Sequence, residues 1–133
     1  MRVNYHTHTC RCGHAKGTEE EYVKAAIEGG VEILGFSEHC TYLLHPDATD
    51  KPHLTAADLP AYADTVRALA SSYEKDIRIH LGMEVEYFPE TYTRLKAMLK
   101  EHGITYLLLG QHFLDSPVGQ RTIPGQLKNR RLL

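Results

Sequence analysis

The expected class is α/β, with a parallel sheet and helices packed outside it. Two observations predict it. Apolar runs of strand length alternate with amphipathic stretches of helical length in the order β-α-β-α-β-α-β. Strands that alternate with helices pair in parallel through right-handed crossovers. Each apolar run also leads into histidine or carboxylate side chains, and in parallel α/β folds the C-terminal strand ends share the rim where chemistry gathers.

The first strand is Arg2 to Tyr5, followed by His6-Thr7-His8-Thr9-Cys10-Arg11-Cys12-Gly13-His14. His6 and His8 are two apart, so on a strand they share a face and can chelate one divalent ion. Thr18-Glu19-Glu20-Glu21 matches a capping box with Thr18 as N-cap. The helix it opens runs to about Glu28, with Tyr22, Val23, Ala26 and Ile27 as its apolar stripe, and Gly29-Gly30 stops it. Val31 to Phe36 reads as a strand buried on both faces, and it leads into Ser37, Glu38, His39 and Cys40.

Thr41 to Leu54 has no periodicity and contains Pro46 and Pro52, so it is expected to be either a lid or binding loop or a surface insertion. His45 and His53 within it are candidates to touch a substrate. The second helix begins between Thr55 and Pro60, because proline is tolerated only in a first turn. Leu59, Tyr62, Val66, Leu69 and Tyr73 mark its buried face. Ile77, Ile79 and Leu81 alternate as a third strand, leading to Glu84 and Glu86. A third helix spans Glu90 to His102, with Tyr92, Leu95, Met98 and Leu99 inward. Ile104 to Leu109 is the fourth strand, and it runs into Gly110-Gln111-His112.

The 133 residues fit one domain. A net charge of −2 argues against a general nucleic-acid binder. No run approaches a membrane span, and the start turns polar before a secretory apolar region could form. With three cysteines, an odd number, the expectation is a cytoplasmic protein with reduced thiols. Cys10 and Cys12 are too close for a finger-type spacing, so packing is preferred over ligation for them and for Cys40. His80, in mid-strand, and His102, at a helix end, are read as structural, and Glu38 and Glu86 as supporting or solvated neighbours of ligands.

Four collinear motifs carry a resemblance: H-T-H-T with C-x-H (His6, His8, Cys12, His14), S-E-H (Ser37 to His39), G-M-E-V-E-Y (Gly82 to Tyr87) and L-G-Q-H-F (Leu109 to Phe113). Together they resemble the PHP (polymerase and histidinol phosphatase) family over roughly residues 1 to 115, closest to its histidinol-phosphatase branch. The resemblance implies a parallel (β/α) barrel with two or three divalent metals (Zn, Mn or Fe) at the C-terminal rim. It implies hydrolysis of a phosphate monoester, L-histidinol phosphate to L-histidinol in histidine biosynthesis. By motif, His6 and His8 would bind one metal, Glu84 would bridge two, and His39 and His112 would bind the others. His14 stands where related proteins can carry an acidic ligand; as a non-ligand it could protonate the leaving alkoxide.

The residue types suit that reaction. A phosphate monoester dianion repels hydroxide, so a site must cancel charge and generate hydroxide near neutral pH, and clustered metals do both. A carboxylate has two oxygens for bridging, whereas a neutral imidazole has one lone pair to give.

The family also carries a further histidine and a late Asp-x-His pair, whereas no histidine follows His112 here. A truncated half-barrel of about four strands is therefore expected. Open sheet edges would invite self-association. Ser116 to Leu133 loses apolar periodicity and holds Arg121, Lys128, Arg130 and Arg131, so 116–133 is expected to be an irregular basic tail. The alternatives are a nuclease or proofreading phosphoesterase of the same family, and a metal-binding fragment without catalysis.

Overall fold

The computed structural model describes residues 1–40 and 54–110, together with the backbone of 113–116 and 119–122. The strands β1 (Val3–Thr7), β2 (Ile33–His39), β3 (Arg78–Val85) and β4 (Tyr106–Leu109) form one sheet in the order β1-β2-β3-β4. Every pairing in it is parallel. The crossovers are α1 (Glu19–Glu28), α2 (Leu59–Ser72) and α3 (Pro89–Glu101). The expected alternation is thus realised as a partial (β/α) barrel of four strands.

Local chemistry sets the helix limits. The Thr18 hydroxyl accepts from Glu21 N and the Glu21 carboxylate accepts from Thr18 N, a complete capping box at the start of α1. Gly30, with φ of 70°, ends that helix in a left-handed conformation that disfavours side chains. Pro60 lies in the first turn of α2, where a missing N–H leaves no intrahelical bond unmade.

The core lies between the sheet and the helices. Leu34 and Phe36 of β2 and Leu81, Met83 and Val85 of β3 pack with Val23 of α1, Leu59, Tyr62 and Val66 of α2, and Leu95 and Leu99 of α3. The buried stripe expected for α2 is therefore the one observed, with Leu69 and Tyr73 half-buried at its end.

The opposite face of the sheet is built differently. The Tyr106 ring from β4 lies across Gly82, where an added Cβ would collide with it. Its hydroxyl is shared between Tyr5 O at 2.9 Å and Phe36 O at 3.0 Å, so one phenol ties β4 to β1 and β2. Tyr5 meets that ring edge-on at 5.2 Å and lies 5.7 Å from the His80 ring, which supports the structural reading of His80.

β2 and β4 each start two residues later than expected, at Ile33 and Tyr106, and three strands run on past their expected ends. β1 continues to Thr7 and so contains His6, β2 continues through His39, and β3 through Val85. The polar residues are held in the ladder by their neighbours: His39 pairs in register with Glu84, and Cys40 N donates to Glu84 O at 2.8 Å. The stretch expected to be irregular from residue 116 needs correction at its start. β5 (Phe113–Ser116) and β6 (Gly119–Thr122) form an antiparallel two-stranded sheet. Gly119-Gln120-Arg121-Thr122 has no apolar alternation, so backbone pairing rather than burial pattern defines that strand.

Candidate metal centre

The rim at the C-terminal strand ends brings three of the candidate histidines to one oxygen atom. His6 Nε2 lies 3.2 Å from Glu84 Oε2, His8 Nε2 3.1 Å and His39 Nδ1 3.1 Å. His6 comes from the end of β1 and His8 from just beyond it; His39 ends β2, and Glu84 is the penultimate residue of β3. The register between β1 and β2 shifts between Asn4 and Thr7. Pairing resumes at Thr7 opposite Phe36, and Thr7 N donates to Ser37 Oγ at 3.2 Å. This irregularity replaces the simple same-face alternation expected for His6 and His8, yet both rings still reach Glu84.

Glu84 is buried, while His6 stays open to solvent with 55% of its side chain exposed. The site therefore has a closed floor and an open mouth. Gly110 completes the floor: a Cβ there would collide with the Glu84 carboxylate, so the glycine after β4 provides the room the side chain occupies. Glycine is the residue that permits such close approach.

The donor set fits a divalent cation. Ligand atoms bound at about 2.0–2.2 Å in tetrahedral geometry stand roughly 3.3 Å from one another, close to the 3.1–3.2 Å separations seen here. Imidazole nitrogen with carboxylate oxygen is a donor set suited to Zn, Fe or Mn. His6, His8 and Glu84 bring ligand atoms within 4.8 Å of one another, and so do His8, Cys12 and His14. The two groups share His8, whose neutral ring has one lone pair to give.

Cys12 is fully buried, and its thiol donates to Thr9 O at 3.0 Å. Burial pushes that thiol up to about 11, which favours its neutral form in the metal-free chain. Cys40 is likewise buried, and burial raises its thiol to about 12. All three cysteines are free, and Cys10 is exposed.

His14 sits at the edge of the group, its ring centroid 5.0 Å from that of His39 and 5.2 Å from that of His8. It is exposed, and its Nδ1 lies 3.4 Å from Cys12 O. His112, like His45 and His53, lies outside the described residues.

Glu38 is the residue the sequence reading undervalues. It is completely buried, whereas the sequence alone leaves a solvated neighbour open as one of its two expectations. Thr9 N donates to its Oε1 at 2.6 Å, and the Thr9 hydroxyl donates to the same oxygen. Burial alone would raise this carboxyl, but the adjacent His8 ring, Thr9 and Cys12 outweigh it and hold the group below its ordinary value. Alternation along Leu34, Phe36 and Glu38 is the available indication, since it places Glu38 on the helix-facing side. Glu86 is also buried rather than solvated.

The profile of the PHP domain matches residues 4–130. The histidinol-phosphatase of Bacillus subtilis is 31% identical over 118 residues, a match covering 82% of this chain and 43% of that protein. Among solved structures, a candidate histidinol phosphatase from Listeria monocytogenes superposes with a TM-score of 0.75 at 30% identity, covering 92% of this chain and 49% of that one. The histidinol phosphate phosphatase of Lactococcus lactis, solved with Zn, L-histidinol and phosphate, shares the fold with a TM-score of 0.70 at 18% identity, over 84% of this chain and 40% of that one. The chain thus spans between two fifths and half of the length of these relatives.

Proposed function

Because the chain belongs to the PHP domain family, we propose that it holds divalent metal on His6, His8, His39 and Glu84, and that this rim serves hydrolysis of a phosphate monoester. The observation that carries this reading is the approach of three imidazole nitrogens to one buried carboxylate oxygen, Glu84 Oε2, at 3.1–3.2 Å. Among monoesters, L-histidinol phosphate is the proposed substrate, supported by the histidinol-phosphatase relative that aligns across most of this chain.

A bound divalent cation supplies charge neutralisation on phosphoryl oxygens and lowers the pKa of water toward neutrality. The chain's own groups have separate tasks. Glu84 has a second oxygen with which to bridge, and His112 is proposed as a further ligand by its place after β4. His6, open to solvent, leaves the mouth accessible to a phosphate group. His14, exposed beside His8 and His39 and proposed as a non-ligand, is placed to give a proton to the leaving alkoxide.

A metal-binding role without turnover is the second reading, which the same cluster of donor atoms supports. β1 and β4 end the sheet among the described residues, with Val3 at 46% and Leu109 at 71% exposure. Self-association along these edges is proposed with either reading. No helix among the described residues is long and apolar enough to cross a membrane.

Assays of the purified chain with Zn or Mn on histidinol phosphate, an aryl phosphate and single-stranded DNA separate the readings. Metal-dependent phosphate release from histidinol phosphate alone supports the substrate assignment. Stoichiometric metal with no release favours the second reading. DNA cleavage would place the chain with the nuclease branch instead.

A further inference from the structure

Between His8 and the start of α1 the chain makes a single 3-10 turn, Cys10–Cys12, and no longer element. Bonds inside this loop tie it to itself. Gly13 N donates to Cys10 O at 3.0 Å, Cys10 N to Gly17 O at 3.3 Å, and the Cys12 thiol to Thr9 O at 3.0 Å. Thr9 anchors the near end on Glu38 of β2. Arg11, in the middle of the turn, reaches the helices instead. Its Nε donates to Glu19 Oε1 in the first turn of α1, and its Nη2 donates to Thr65 Oγ1 of α2 at 3.0 Å.

Two features set this contact apart from a surface ion pair, which is worth little. Glu19 is only 5% exposed, so its carboxylate has given up most of its water, and the guanidinium supplies charge and donor together. Thr65 gives its own hydroxyl hydrogen to Ala61 O at 2.8 Å, which leaves its lone pairs to accept from Arg11. One rigid planar fork thus joins the turn to two helices. Lysine, with a single nitrogen on a flexible stem, cannot reproduce that. Candidate groups of the rim flank the fork, His8 three residues before Arg11 and His14 three after it.

We propose that Arg11 is a positioning residue whose guanidinium clamps the turn onto α1 and α2, and so fixes His8 and His14 at the rim. The clamp stands on its own hydrogen bonds, whereas its effect on metal affinity rests on the metal centre proposed above.

Arg11→Met keeps the aliphatic stem and removes the fork, and Arg11→Lys keeps the charge. The metal-free native chain is treated with a disulfide reagent, and labelling at each cysteine is followed by mass spectrometry of its peptides. Cys12 lies buried in the clamped turn and Cys40 in the main core, so Cys40 reports opening of the whole fold. In Arg11→Met, Cys12 is expected to label about tenfold faster relative to Cys40, the opening expected from losing a charge-assisted hydrogen bond. Arg11→Lys should change in the same direction. Zinc affinity, measured by chelator competition, should fall about tenfold in folded Arg11→Met. A Cys12-to-Cys40 ratio equal to the wild type overturns the clamp. A raised ratio with unchanged zinc affinity overturns the positioning role, because a merely structural Arg11 would give that result. Thr65→Val removes one arm, leaves the ion pair, and decides by the same two readouts if Arg11→Met does not fold. A raised ratio with no zinc bound by the wild type supports the clamp and counts against the metal centre.

Discussion

His39 and Glu84 are register partners on adjacent parallel strands, and Nδ1 of the one lies 3.1 Å from Oε2 of the other. Strand pairing alone therefore sets half of the candidate site, and the end of β1 brings His6 and His8 to the same oxygen. Replacing Glu84 tests the corner of that arrangement.

The floor of the site depends on the absence of a side chain at residue 110. Gly110→Ala places a methyl against the Glu84 carboxylate. The expected outcome is a protein with wild-type secondary structure, weaker zinc binding and a stability loss of about 1–3 kcal/mol from overpacking. Circular dichroism, urea titration and chelator competition read the three effects separately.

Gly82 and Tyr106 form a second such pair on the face opposite the helices. Gly82→Ala should destabilise by about 1–3 kcal/mol in the wild type, and by clearly less in a Tyr106→Leu background. A double-mutant cycle by urea unfolding measures the coupling. Equal losses in both backgrounds would mean that the ring is not what fills the space above residue 82.

Much of this arrangement is legible in the sequence. Thr18 and Glu21 announce α1, Pro60 limits the start of α2, and the steps from Leu59 to Val66 mark its buried face. The parallel order, with ligand-type residues at strand ends, follows from alternation alone. The remainder depends on contacts between strands distant in sequence. Gly82 reads as a strand boundary because nothing local reveals that Tyr106 lies across it. Glu38 reads as a neighbour of a ligand because its anchor, Thr9, is 29 residues away. β6 escapes notice because a four-residue polar strand leaves no periodic trace.

The capping box supplies a stability prediction independent of the site. Thr18→Ala removes the acceptor for Glu21 N and should lower stability by about 1 kcal/mol. Metal-free protein in a urea titration is the appropriate measurement, and zinc affinity should not change.

The cysteines give two further expectations. One thiol, Cys10, should react quickly with a disulfide reagent in the native metal-free chain, and all three should react in denaturant. Burial raises Cys40 in the folded state from 9.0 to about 12, so the folded chain keeps a proton that the unfolded chain releases. The stability this contributes is present below the unfolded value and is lost as pH rises toward the folded one, with a slope of about 1.4 kcal/mol per pH unit. Cys40→Ala should flatten that alkaline limb. Glu38 acts at the other end: its folded value is lowered, so its contribution is present above the unfolded carboxylate value and fades as pH falls through the folded one.

His6, His8, His39 and Glu84 are proposed to hold divalent metal. Elemental analysis of zinc after gel filtration, for wild type and Glu84→Gln side by side, tests it most directly. The expected result is at least one equivalent of zinc retained by the wild-type chain and none by a folded Glu84→Gln variant. Equal zinc in the two proteins, or none in the wild type, would contradict it.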